Sequence, residues 1–496
     1  MLYPYQQRDL DLIFSKIQQA PPGYRLLYQL PTGGGKTRIF SEAARRFLDC
    51  CERKVLILTH RQELCRQTST ALKALGIRNK LINSQVKQLS PRNPYSCYVA
   101  MVETFYHRLE SGDIDISDIG LVIIDEAHYN AFGKLLARFE QQKVVGVTAT
   151  PFSADIDRPM RKIYQELIVG ESIRSLIAQG YLAKPVNKRY DVELNTLQTG
   201  PGGDFTVASS DALYSSPAML ELLLHGLQEH ARNKKTLIFN HGIFTSKAVC
   251  QYLSEVGFPV KHLDNETPAD ERLEILTWFK RTKGAVLTSV SILTTGFDEP
   301  TVQAVVLNRA TISLTLYHQM IGRGARRLPQ KKTFTIVDLG NNTERFGEWN
   351  APLDWQQVFE RPEAFHLALH SKNEFEAHQL APELRKRFPN TLQLSFDIQQ
   401  AHQQVLAQHL KPKIVIRDAI RQHALMCAEN ADDVSSALEL AGLLDKEINW
   451  RIRQYAKCLG KVTKNYTDWL MEDYHSRLRT LITKLMNRRA LQRLSA

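Results

Sequence analysis

A chain of 496 residues is too long for one hydrophobic core and predicts about three domains. Its 43% hydrophobic and 23% charged residues are those of an ordinary globular protein, and no apolar stretch approaches a membrane span, which excludes the membrane-spanning helical class. The formal net charge of +12 favours a polyanionic partner, because Lys and Arg that neutralise phosphates release counterions; a merely basic soluble protein would carry the same excess.

The opening residues Met1–Leu10 lack the basic start and apolar core of a secretory signal, so a cytoplasmic protein is expected. The seven cysteines include no C-x-x-C pair, and neither a zinc site nor a disulfide framework is indicated. Leu2–Gln7 precedes a helical run over Arg8–Gln19. Gln6 can read the two edge atoms that distinguish adenine, with Tyr3 or Tyr5 stacking on the base, or it is simply a polar residue at a helix start.

Next comes Gln29-Leu30-Pro31-Thr32-Gly33-Gly34-Gly35-Lys36-Thr37. The glycines Gly33, Gly34 and Gly35 let a turn approach polyphosphate without Cβ clashes, Lys36 adds a mobile positive charge, and Thr37 offers a hydroxyl to Mg²⁺. The full phosphate-loop pattern would place Gly where Leu30 stands, but a buried strand over Arg25–Leu30 and an amphipathic helix over Arg38–Cys51 supply the expected setting.

Short apolar runs then alternate with helical patterns: Lys54–Leu58, Tyr98–Val102, Leu121–Ile124 and Val144–Val147. This predicts a doubly wound parallel sheet, with function collected at the carboxyl ends of its strands. Those ends carry Thr59-His60-Arg61, Glu103-Thr104, Asp125-Glu126-Ala127-His128 and Thr148-Ala149-Thr150. Asp125 is placed to hold Mg²⁺, and Glu126 to orient and deprotonate an attacking water. His128 and Thr148–Thr150 lie where the phosphate state can be passed on. From about Pro151 to Ser216, prolines and glycines predict a linker rather than more sheet.

A second alternating series follows at Thr236–Asn240, Val260–Leu263, Ala285–Ser289, Ala304–Asn308 and Phe334–Leu339, without a phosphate loop of its own. Thr288 and the loop Leu293–Asp298, including Gly296, suit a phosphate backbone, and Asp298 suits a ribose. In Tyr317–Arg326 two arginines, Arg323 and Arg326, are expected on one helix face, reaching the γ-phosphate of ATP held by the other domain; the alternative is an exposed basic helix. Beyond Arg345 the pattern is helical, through Ile414–Leu425, Ser435–Ile448 and Trp469–Leu494. The last helix carries Arg477, Arg479, Lys484, Arg488, Arg489 and Arg493, which is either a solvated face or a nucleic-acid contact.

With both domains in view, the ordered segments PTGGGKT, THRQEL, DEAH, TAT, LIFN, LTTGFDEP and QMIGRGAR resemble a superfamily 2 helicase of the DEAH-containing type, near restriction-enzyme motor subunits and RadD- or UvsW-like DNA-repair helicases. The resemblance implies two tandem RecA-like α/β domains, residues 1–155 and 217–344, joined by a linker over 156–216 and followed by a mainly α-helical accessory domain over 345–496. It implies ATP and Mg²⁺ as cofactors, with Lys36, Glu126, Gln319, Arg323 and Arg326 catalytic, and Gln6, Gly33–Thr37, Gly296 and Asp298 holding the nucleotide. Thr37 and Asp125 would hold the metal. Thr59, His60, Arg61, Thr104 and Thr288 would line a nucleic-acid groove. The implied activity is ATP-driven movement along nucleic acid, DNA favoured over RNA, with strand separation or branch remodelling. An RNA helicase and the motor of a restriction or phage-defence complex are the rivals, the helical domain then offering a protein-docking surface. Two departures stand out: relatives often have Arg where Tyr3 stands, and the zinc-binding cysteine cluster of RadD-like proteins is absent.

Overall fold

The computed structural model describes residues 2–83, 86, 93–129, 132–153, 158–200, 203–294, 296–366, 386–391, 396–407, 410–459 and 462–494. The chain divides into two compact units, Met1–Ser371 and Lys372–Ala496.

The first unit holds two parallel sheets. β1 (Arg25–Gln29), β2 (Lys54–Thr59), β3 (Asn79–Ile82), β4 (Cys97–Met101), β5 (Ile119–Asp125), β6 (Lys143–Thr148) and β7 (Glu166–Val169) form one, in the order β3-β4-β2-β5-β6-β1-β7. The second contains β8 (Lys184–Arg189), β9 (Thr236–Asn240), β10 (Val260–Leu263), β11 (Val286–Ser289), β12 (Ala304–Asn308) and β13 (Thr333–Asp338), in the order β10-β11-β9-β12-β13-β8. The pairings between these strands are parallel. The central strands are buried along almost their whole length, β5 without exception, which is why they read as unbroken apolar runs.

Residues 156–216 are not a linker. β7 extends the first sheet beside β1, and β8 extends the second beside β13. Both are edge strands, where a short run suffices and Pro185 is tolerated, so the prolines and glycines flank or punctuate strands instead of replacing them. Asp204, from the same stretch, caps the end of β12: its carboxylate accepts from Arg309 (3.1 Å), the Thr311 hydroxyl (2.8 Å) and the Ile312 amide (2.9 Å). Pro201 and Gly202 lie outside the described residues. Nor does the helical domain begin at 345: Trp355, Val358 and Phe359 on the helix Trp355–Glu360 are buried in the first unit's core.

The second unit is helical. Its longest helix, Lys464–Leu494, buries Leu470, Tyr474, Leu478, Ile482 and Met486, each four residues from the next, in a core shared with Val415, Ile416, Ala419 and Ile420 of the helix Lys413–Glu429. The run expected over Ser435–Ile448 is two helices, Val434–Gly442 and Asp445–Leu459, because Gly442 ends one turn and Asp445 and Glu447 open the next. No described helix is long and apolar enough to cross a membrane.

Candidate active site

The site is built where β1, β5 and β6 end. Gly33 and Gly35 both have φ near +88°, in the left-handed region that favours glycine. Gly35 caps the helix Lys36–Cys50 without a side chain, so the first amides of that helix are left for an anion. Lys36 Nζ lies 3.3 Å from the Leu30 carbonyl, and Thr37 follows on the same turn, half-buried.

Gln6 is buried in the first turn of the helix Pro4–Gln19, which starts four residues earlier than its apolar pattern suggests. Its carbonyl oxygen accepts from Tyr3 N–H (3.0 Å) and its amide donates to Gly34 O (3.1 Å), to which Tyr5 Oη also donates (2.7 Å). The glutamine therefore braces the phosphate loop. Tyr3 and Tyr5 meet Tyr181 at ring distances of 4.4 and 5.1 Å.

Asp125 and Glu126 are both buried. Burial, and after it the neighbouring Glu126, pushes the Asp125 carboxyl up; for Glu126 burial acts in the same sense but Lys36, His128 and Arg323 outweigh it, and its carboxyl is held low. Glu126 has φ 53°, a conformation rare for a side chain of this kind and found where the surroundings impose it. Its Oε2 makes no hydrogen bond, with His128 Nδ1 3.5 Å away.

From there a polar chain crosses to the second sheet's domain. His128 Nδ1 lies 2.9 Å from Thr148 Oγ1, which donates to Thr150 O (3.1 Å). His128 Nε2 lies 3.4 Å from the Gln319 amide nitrogen, and Thr150 Oγ1 lies 2.9 Å from Thr315 Oγ1. One tautomer satisfies the chain: Gln319 donates to Nε2, and Nδ1–H donates to Thr148.

Gln319 lies on the helix Leu314–Gly322, but the helix stops there. Arg323 is its C-terminal cap and Arg326 lies beyond it, so the two arginines do not share a helix face. They converge instead through the Phe297 carbonyl, accepting from Arg323 at 2.7 Å and Arg326 at 3.5 Å. Arg326 also pairs with Asp298 (2.9 Å), so the carboxylate expected at a ribose is engaged by an arginine. Arg323 is 5% exposed, lies close enough to Glu126 to feel its charge, and keeps an unpartnered Nε. Lys331 fixes the segment from behind, donating to the carbonyls of Pro300 (2.8 Å), Val302 (2.6 Å) and Gly324 (2.9 Å).

These residues fit a nucleotide and its metal. Unpartnered polar atoms of Thr32 (Oγ1), Glu126 (Oε2) and Arg323 (Nε) sit buried around a loop with free helix amides, an arrangement that is costly unless a charged ligand fills it.

The expected nucleic-acid residues separate into two groups. Thr59 and Thr288 are fully buried: Thr59 Oγ1 bonds Arg61 O (3.0 Å) and meets Cys65 Sγ (3.1 Å), and Thr288 bonds Asn240 (2.7 Å) and Ser246 (3.0 Å). As placed, neither hydroxyl reaches the surface, because each is bonded to neighbours within its own domain. His60, stacked on Tyr129 at 4.9 Å, is half-buried, as are Arg61 and Thr104, the last on the helix Val102–Glu110. Arg61 donates to Ile292 O (3.2 Å), Gln67 to Gly296 O, and Glu63 pairs with Arg272 (3.0 Å). Gly296 thus contacts the first domain's helix Gln62–Ala74; Thr295 lies outside the described residues. The contributions of Thr32, Thr315, Arg272 and Lys331 were missed in the sequence, since nothing in their local pattern separates them from ordinary polar residues.

Residues 1–153 match the family described as Type III restriction enzyme, res subunit, and residues 217–327 the Helicase conserved C-terminal domain. The chain is 29% identical over 359 residues to IRC3 of Saccharomyces cerevisiae, named for an ATP-dependent helicase, covering 68% of this chain and 51% of that protein. It is 26% identical to irc3 of Schizosaccharomyces pombe, named for a mitochondrial ATP-dependent helicase, covering 69% of this chain and 58% of that one. The matches therefore span little more than half of these relatives. A fragment of an HsdR subunit of a type I restriction enzyme from Vibrio vulnificus superposes with a TM-score of 0.56 at 22% identity, covering 69% of this chain and 65% of the fragment, a likeness of fold.

Proposed function

We propose that the chain is a superfamily 2 helicase, a nucleic-acid-stimulated ATPase that moves along DNA, in preference to RNA, and separates or remodels strands, in repair, recombination or replication. The observation that carries this reading is the bridge from Glu126 through His128 to Gln319, which ties the residue next to the reacting phosphate to the opposite domain. DNA is put before RNA on the motif resemblance to restriction-enzyme motors and DNA-repair helicases.

In this reading Lys36 and the amides after Gly35 bind the polyphosphate, and Thr37 and Asp125 hold Mg²⁺. The metal would supply charge neutralisation at the phosphate oxygens. Glu126 Oε2, unpartnered and with its carboxyl held low, orients the attacking water and takes its proton. Arg323 brings positive charge from the second domain, so hydrolysis proceeds only with the domains together, and reopening after hydrolysis gives a step along the strand. The sheets form the motor, and the helical unit is an accessory that can also receive a protein partner.

The test is ATP hydrolysis by the purified chain alone and with single-stranded, duplex or forked DNA, or RNA, with Lys36→Ala as control. Stimulation by DNA over RNA supports the reading; greater stimulation by RNA moves the same motor to RNA, and nucleic-acid-stimulated hydrolysis surviving in Lys36→Ala would refute it.

A further inference from the structure

The helical unit contains a small recess of about 80 Å³ that the motor chemistry does not use. Two helix faces and the end of a third helix make it. On Lys413–Glu429, residues 413, 416, 417 and 420 fall on one side; on Lys464–Leu494, residues 466, 469, 470, 473 and 477 do the same. Ile416, Ile420 and Leu470 are buried and form an apolar floor. Over it stand Tyr466 and Trp469, rings 5.8 Å apart, with Trp469 48% exposed. An indole serving only the core would be covered, because burial of that much apolar surface is the larger gain.

The rim is cationic. Lys413, Arg417 and Arg477 surround the opening, against one carboxylate, Asp473. Asp473 is already engaged by Arg477 Nε at 2.7 and 2.8 Å. Among the described residues neither Lys413 nor Arg417 pairs with a carboxylate, and the net charge of the rim rests on them. An exposed aromatic platform beside cations matches single-stranded nucleic acid: a base supplies the flat face and the flanking phosphates supply the charge. A free phosphate would leave the indole unused, and an apolar peptide would leave the cations unused.

We infer that this recess is a second nucleic-acid site, in which Trp469 stacks on an unpaired base while Lys413 and Arg417 hold the neighbouring phosphates. The inference rests on the reading of the chain as a nucleic-acid motor. It gives the helical unit the task of keeping hold of a strand while the motor domains open.

The test uses the full chain without nucleotide, and anisotropy of a labelled oligothymidylate and of an abasic strand of equal length. Trp469→Ala is expected to weaken oligothymidylate binding about tenfold, within the usual range for one stacked base, and to leave abasic binding unchanged; Trp469→Phe should retain most of the affinity. Lys413→Ala with Arg417→Ala should weaken both strands and flatten the salt dependence by about 0.7 per charge removed. Wild-type affinity in Trp469→Ala, or an equal loss on both strands, would overturn the inference. Wild-type ATPase activity that no nucleic acid stimulates would instead overturn the proposed function, so the two failures are distinguishable.

Discussion

The side-chain amide of Gln319 lies 3.4 Å from Nε2 of His128, and the other nitrogen of that ring lies 3.5 Å from Glu126 Oε2. A residue of the second domain is thereby two contacts from the expected catalytic base. Replacing Gln319 by Ala removes the donor and leaves the imidazole beside Glu126 held by Thr148 alone, with no contact to the second domain. Nucleic-acid-stimulated turnover should fall roughly ten- to a hundredfold, the cost of a broken buried polar contact, while nucleotide binding changes little. Steady-state ATPase kinetics check this; an unchanged kcat would detach Gln319 from the reaction.

Most strands of both sheets were legible in the sequence because buried parallel strands are nearly unbroken apolar runs, as in Leu121–Ile124 and Ala304–Leu307. The strand, glycine turn and helix around Leu30 were legible because their local signals agree. Edge strands β7 and β8 were not, since an edge needs neither length nor continuous apolarity. The burial of Thr59 and Thr288 was not legible for a related reason: a hydroxyl near a strand end can face ligand or neighbour, and only packing decides. The arginines were assigned to a helix face because three-residue spacing suits one; the helix ends at Gly322, and tertiary contacts to Phe297 bring them together instead.

Arg323 and Arg326 should differ in consequence. Arg323 is buried with an unpartnered Nε and, among the described residues, no carboxylate bonded to it, whereas Arg326 is paired with Asp298. Arg323→Ala is expected to lower kcat by about a thousandfold or more, the usual scale for a cation that stabilises phosphoryl-transfer charge. Arg326→Ala should cost less, because part of its charge is already neutralised. A fluorescent ATP analogue would report binding separately from turnover; equal loss of kcat in both variants would contradict the distinction.

Acid should destabilise the first unit through His318. The ring packs near Trp355 (5.9 Å) and Tyr317 (5.7 Å), and burial pushes its imidazole down to about 4. In the unfolded chain it titrates near 6.5. Below that value the unfolded state holds a proton that the folded state refuses, so stability falls as pH falls, by up to about 1.4 kcal/mol per pH unit from this group, until the folded value is reached. Above it the group adds no slope. Thermal melts of wild type and His318→Gln between pH 7.5 and 5 should show a shallower acid loss in the variant. Parallel curves would remove His318 from the account.

Gly322 sets how closely the two sheet domains approach. A Cβ placed there would meet the Thr32 side chain at 2.5 Å, and Thr32 belongs to the phosphate loop. Neither side can yield easily: Thr32 is buried, and Gly322 ends a helix whose Tyr317, Met320 and Ile321 are core residues. Gly322→Ala must therefore push the second domain away from the nucleotide, and Gln319 and Arg323 with it. The expected result is an ATPase with kcat lowered at least tenfold, nucleotide affinity preserved within a few-fold, and a melting temperature close to wild type, since each domain's own core is untouched. Pairing it with Thr32→Gly, which removes both carbon atoms that the new Cβ would meet, should restore part of the lost turnover. No rescue, or a fall in melting temperature matching the lost activity, would make Gly322 a folding requirement of its own helix rather than the spacer between loop and arginine.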